Sequence, residues 1–224
     1  MKYFSVTLFL AMTSLSAFAG DSLKNLNDKA ERASKILQFV SSEQEIPRAM
    51  IASANCVAAV TIHKAGMMGF GAKTGQGLAT CRTENGWSNP SVLNVNGVSV
   101  GPQIGIGKVN MVMVFVGDKA VQQLKSKNMT GDMQLSLVAG PVGREAMAGV
   151  DFKLENGIYS YAKAKGLYFG ATLGAAMISP DKSSNGLLYK EVEDYNLAAI
   201  LETPASDELP DAFKEFLNSL NELD

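Results

Sequence analysis

The sequence predicts an α+β protein: a single glycine-rich antiparallel β domain, barrel- or sandwich-like, with flanking N- and C-terminal helices. Three observations carry this. Between Cys56 and Ile178, short β-favouring runs alternate with glycines and Asn-Gly pairs, the pattern of strands joined by tight turns. On both sides of that stretch, apolar residues recur at helical spacing. The chain has 224 residues, 46% of them hydrophobic, which suits one good-sized core and excludes wholesale disorder.

The elements follow in order. Residues 1–19 read as a secretory signal peptide, with Lys2 as the positive end, an apolar run from Phe4 to Leu15, and Ala17-Phe18-Ala19 as the small-x-small cleavage pattern. The run is short for a membrane span, and no cysteine follows it for lipidation. A mature chain starting at Gly20 is therefore expected to be periplasmic or secreted, and soluble or peripherally membrane-associated. Residues 20–44 are expected to form an N-terminal amphipathic helix. Leu23, Leu26, Ala30, Ala33, Leu37 and Val40 share one face between Ser22 and Ser42. Such a helix either covers the core or lies on a membrane. Pro47 ends it or begins the next element.

Strands are predicted over Cys56–Ile62, Gly71–Thr83, Ser91–Val100, Val109–Val116, Met133–Val138, Ile158–Lys163 and Leu167–Met177, with a short helix over Asp118–Lys127. Asn85-Gly86, Asn96-Gly97 and Asn156-Gly157 read as turns. Helix returns over Glu193–Leu201 and Pro204–Leu220. With no long linker and no repeat, residues 45–224 read as one domain ending in acidic helices.

Cys56 and Cys81 are most simply read as one disulfide in an exported chain. The alternative is two buried free thiols.

The formal net charge of −2 hides an asymmetry. From Arg48 to Lys190 there are 14 Lys+Arg against 7 Asp+Glu, whereas Glu191–Asp224 has one lysine against 10 acids. A basic core can attract anionic surfaces, unless the acidic helices neutralise it in cis. The overall balance argues against a nucleic-acid partner.

Chemistry-bearing motifs are sparse. One histidine and two cysteines leave little material for a zinc site, and neither a metal nor a cofactor is expected. Ala72 precedes Lys73 where a phosphate loop needs glycine, and Gly101, Gly105 and Gly107 are out of register for a dinucleotide site. His63 lacks a companion Ser, Cys or metal-ligand pattern, so no enzyme is predicted. Gly140-Pro141-Val142-Gly143-Arg144 suits either an anion contact or a tight turn with an ion-paired Arg144. Gly166, Gly170 and Gly174 leave a bare strand face for close packing, and Trp87 suits either anchoring its loop or an interface.

Several segments occur in an order that is informative as a set. They are Ile46-Pro47 through Ala54, then Gly75, Gly77, Leu78, Cys81 and Arg82, then Trp87-Ser88-x-Pro90 and Ser99-x-Gly101-x-Gln103-x-Gly105. Ala139-Gly140-Pro141-Val142-Gly143-Arg144 and Ser160-Tyr161 through Lys165-Gly166-Leu167 complete the series. In this the chain resembles the SYLF domain family, a lipid-binding module, over roughly residues 45–203, and with its leader it looks like a bacterial exported member. The resemblance implies a β-rich, non-catalytic phospholipid-binding domain. In eukaryotic relatives it implies phosphoinositide binding through basic residues and an amphipathic N-terminal helix. The function expected here is binding of anionic phospholipid head groups at a membrane surface, with Lys64, Lys73, Arg82, Arg144, Lys163 and Lys165 as lipid-binding residues. The alternative is an envelope scaffold acting through a protein partner or as a homo-oligomer.

Overall fold

The structure, a computed structural model, describes residues 7–44, 46–100, 103–126, 137–139, 157–170, 176–190 and 196–224. Helix α1 (Thr7–Gln44) contains the segment of helical periodicity, and Pro47 opens a short α2 (Arg48–Ala52). Strands β1 (Cys56–Met67), β2 (Phe70–Thr83), β3 (Gly86–Trp87), β4 (Ser91–Val100) and β5 (Gln103–Val116) follow. Then come α3 (Asp118–Lys125), β6 (Leu137–Ala139), β7 (Gly157–Gly170), β8 (Ala176–Pro180), α4 (Lys182–Leu188), α5 (Leu197–Glu202) and α6 (Asp211–Leu223).

The strands form one sheet in the order β6-β7-β5-β1-β2-β4-β8, with β3 paired to β2. Every pairing is antiparallel except β6 with β7. The pairings among the described residues do not close a ring, so the α+β architecture takes the form of an open sheet. β1 and β5 run several residues beyond their predicted ends. Ile158–Lys163 and the start of Leu167–Met177 are one strand, β7. Asn96-Gly97 is no turn: it sits inside β4, opposite Thr74 and Lys73. Asn156 and residues 133–136 lie outside the described residues.

Side chains alternate across the sheet, and each face carries its own apolar cluster. On the first face, Val57, Ala59, Leu78, Val92, Val112 and Tyr161 pack with Ala30, Ala33 and Leu37 of α1 and with Phe213, Phe216 and Leu220 of α6. On the second face, Ala58, Val60, Ala79, Leu93, Met113 and Phe115 pack with Leu124 of α3 and with Leu197 and Leu201 of α5. Gly77 lets β1 and β2 come close: a Cβ there would run into the Ala59 carbonyl oxygen and the Val60 side chain.

Among the described residues, helices sandwich the sheet near Cys56, Cys81 and Phe115, and the opposite ends of β1, β2, β4 and β5 project beyond them. No helix among the described residues is long and apolar enough to cross a membrane.

Three ties hold the covered end. Cys56 and Cys81 are register partners in β1 and β2 and form a disulfide. The loop it closes is worth about 3–4 kcal/mol in the chain-entropy treatment. A Cys56→Ala/Cys81→Ala chain is expected to unfold at lower denaturant, with a somewhat larger m-value because its denatured state is less compact. An unchanged midpoint would show that the crosslink adds nothing.

In the second tie, Lys29 Nζ of α1 donates to Asp181 at 2.9 Å and to Ser184 Oγ at 2.7 Å. In the third, Trp87 Nε1 donates to Asn221 Oδ1 at 3.0 Å, while Arg82 stacks 4.2 Å from the Trp87 ring and pairs with Asp224 at 2.7 Å. Trp87 thus anchors α6 to the sheet.

Candidate functional site

The projecting end of the sheet has an unusual order of polarity on its first face, read outward from the core. The first row beyond the core is amide- and hydroxyl-rich. Thr61 pairs in register with Gln76 and Asn110, and Gln76 pairs with Asn94. These side chains hydrogen-bond along the row, Thr61 Oγ1 to Asn110 Oδ1 at 3.0 Å and Gln76 Nε2 to Asn94 Oδ1 at 3.2 Å. The next row is His63, Thr74, Asn96 and Lys108. The row after that is apolar, with Ala65, Ala72, Val98 and Ile106. The outermost row is Met67, Phe70 and Val100, with Ile104 one step past the Gly66–Gly105 pair.

An ordinary strand end becomes more polar towards solvent. Here Met67, Phe70, Val98, Val100, Ile104 and Ile106 are each between 55% and 73% exposed. Met68 in the β1–β2 turn is the most exposed large apolar side chain among the described residues.

The electrostatics are one-sided. The strands β1 to β8 contain Lys64, Lys73, Arg82, Lys108, Lys163 and Lys165 and no Asp or Glu. Lys64 and Lys73 are register partners on the second face. Partial burial, and then the Lys64 charge, hold the Lys73 ammonium below its usual range. Like charges placed opposite each other on a sheet are destabilising, so this pair costs stability. Among the described C-terminal acids, none pairs with either lysine. Among the described residues, Glu202 pairs with Lys125 and Asp224 with Arg82.

A cavity of about 400 Å³ lies between α1 and the first face, lined by Lys29, Arg32, Thr61, His63, Gln76, Asn94 and Lys108 among others, with no carboxylate among the described lining residues. The Lys29 charge is taken up by Asp181. A second hollow of about 570 Å³ shares His63, Thr74 and Lys108 and is otherwise walled by Lys64, Ala65, Ala72, Ile106 and Gly107. Polar cavity, mixed hollow and apolar fringe therefore succeed one another along one face. Deeper in, burial first and then neighbouring Tyr159 push the Tyr161 hydroxyl up to about 12, so it stays neutral. The described residues contain no group of side chains suited to holding a metal ion.

The structure brings Lys64 and Lys73 together near the projecting end. Lys163 is the register partner of Asn110 in the amide row, and Lys165 that of Lys108. The Lys165 side chain and all of Arg144 lie outside the described residues. Arg82 stands apart. It lies about 30 Å along β2 from Lys73 at the usual rise per residue, and it is engaged by Trp87 and Asp224. Sequence reading missed Arg32, His63 and Lys108. The signal that could have found Lys108 is its place in an acid-free strand beside the exposed Ile104 and Ile106.

Residues 96–223 match the family described as "Ysc84: Las17-binding protein actin regulator". The chain is 29% identical over 208 residues to the "SH3 domain-containing YSC84-like protein 1" of Homo sapiens, covering 88% of this chain and 60% of that protein. It is 32% identical over 179 residues to an SH3 domain-containing protein of Schizosaccharomyces pombe, covering 74% of this chain and 41% of that protein. It is 27% identical over 177 residues to "Protein YSC84" of Saccharomyces cerevisiae, covering 74% of this chain and 38% of that protein. The chain thus spans between 38% and 60% of the length of these relatives. No solved structure matches it.

Proposed function

The chain belongs to the Ysc84 family, the SYLF family of the sequence resemblance, and we propose that it is a non-catalytic module for anionic phospholipid head groups at a membrane surface. The observation that carries this reading is the acid-free end of the strands, where Lys108 lines a basic cavity on the first face and Lys64 and Lys73 face each other on the second, all just inside an apolar fringe. Each lysine held near an anionic bilayer contributes about 1 kcal/mol, so several act together and salt weakens the sum. The apolar leader and the disulfide fit an exported protein acting at the periplasmic or extracellular side of a membrane.

The test is vesicle flotation of the mature chain, from Gly20 onward, with phosphatidylglycerol-rich and with neutral phosphatidylcholine vesicles, at low and high salt. Selective binding to the anionic vesicles, reduced by salt, is expected. Equal binding to both, or none by demonstrably folded protein, would overturn the reading.

The family description supports a second reading, since it names a protein-binding actin regulator. In that reading the same surface docks a protein partner or a second copy. Salt-insensitive self-association without vesicle binding would favour it.

A further inference from the structure

We propose that the outer two rows of the first face, centred on Met67, Phe70, Val98, Val100, Ile104 and Ile106, enter the bilayer, so that the sheet end is a membrane-inserting edge and not merely an electrostatic contact. This rests on the proposed binding to an anionic membrane and adds how the contact is made.

Four strands contribute to the patch, and the alternation places all six side chains on one face. An apolar surface of this extent on a soluble protein marks an interaction site. Its border identifies the occupant. Lys64 is three residues inboard of Met67, and Lys73 three inboard of Phe70, which at the strand rise places the ammonium groups about 10 Å from the tip. That spacing matches the 5–10 Å depth to which interfacial apolar faces are buried below charged head groups. With the fringe among the acyl chains, Lys64, Lys73 and Lys108 stand level with the phosphates. No carboxylate of the strands stands there to be repelled. Met68 in the turn leads the insertion, and its flexible side chain suits a disordered apolar medium.

A single reporter tests this. The native chain has one tryptophan, Trp87, which is buried in the covered end. In a Phe70→Trp chain, the difference spectrum against the parent therefore reports position 70. Phosphatidylglycerol vesicles carrying bromine on the acyl chains are expected to quench the new emission and shift it to the blue. A Phe70→Ser/Ile106→Ser chain, altered only at exposed positions, is expected to fold normally and bind at least tenfold more weakly at high salt.

Vesicle binding with an unquenched Trp at position 70 would overturn insertion and leave the head-group reading standing. No vesicle binding at all would overturn both. A blue shift that grows with protein concentration without vesicles would assign the fringe to a second copy of the chain and overturn insertion.

Discussion

A chain carrying Lys64→Gln, Lys73→Gln and Lys108→Gln is expected to bind phosphatidylglycerol vesicles about a hundredfold more weakly and yet be slightly more stable. Three lysines at about 1 kcal/mol each account for the loss in binding. The gain in stability has a separate origin. Lys64 and Lys73 face each other across the β1–β2 ladder, and a like-charge cross-strand pair costs a few tenths to about 1 kcal/mol. Flotation and denaturant melts on the same samples check both halves. The salt dependence of binding should flatten as well, since fewer counter-charges are involved. Unchanged affinity with unchanged salt dependence would remove these lysines from the site.

Lys29→Met is expected to destabilise the protein by about 2–4 kcal/mol at neutral pH, somewhat below the full cost of breaking a buried ion pair. The discount reflects side chains that keep about a tenth of their exposure, 9% for Lys29 and 11% for Asp181. It also reflects the bonds that Ser184 still makes to Asp181 from its backbone N–H and its hydroxyl. Burial alone would raise the Asp181 carboxyl. The Lys29 hydrogen bond, with the two from Ser184, outweighs it and holds the group below the usual carboxylate range.

A carboxyl whose folded-state value is depressed adds stability above its unfolded value of about 4 and loses it as pH falls further through the folded value. The parent chain should therefore weaken below about pH 4, and the Lys29→Met chain should show less of that acid-dependent loss. Adding Asp181→Asn to Lys29→Met should restore stability, since asparagine can still cap α4 by accepting from Ser184 N. Failure of the double variant to recover would mean that the cost lies in packing and not in the orphaned charge.

The fold class was legible because local patterns determine elements. Alternation between Cys56 and Val116 and the 3.6-residue spacing before Ser42 needed no partner to be read. Asn96-Gly97 shows where local pattern fails. Its dipeptide favours a tight turn, but its neighbours pair on both sides, and Gly97 lies opposite Lys73 in an unbroken ladder. The basic core and acidic tail were legible as composition, whereas their relation was not. Only the folded chain shows that, among the described residues, Asp224 reaches Arg82 and Glu202 reaches Lys125. Arg82 looked like its fellow cations until Asp224, 142 residues away, was brought beside it. The apolar fringe was hidden for a related reason. Whether the strand residues Ile104, Ile106 and Val98 face a helix or open solvent depends on where α1 stops covering the sheet, which no local pattern reveals.

The packing of α1 against α6 also has a kinetic consequence. Gln38 of α1 meets Ser219 of α6 across 181 residues of chain, and both helices share the first-face cluster with the central strands. The β1–β2 hairpin closes a short loop, but β5 must cross to the far side of β1, and α6 closes the longest loop of all. Contacts so distant in sequence repay their closure entropy late. Refolding is therefore expected to be slow for a domain of this size, and amides protected by α6 should gain protection last in pulsed hydrogen exchange.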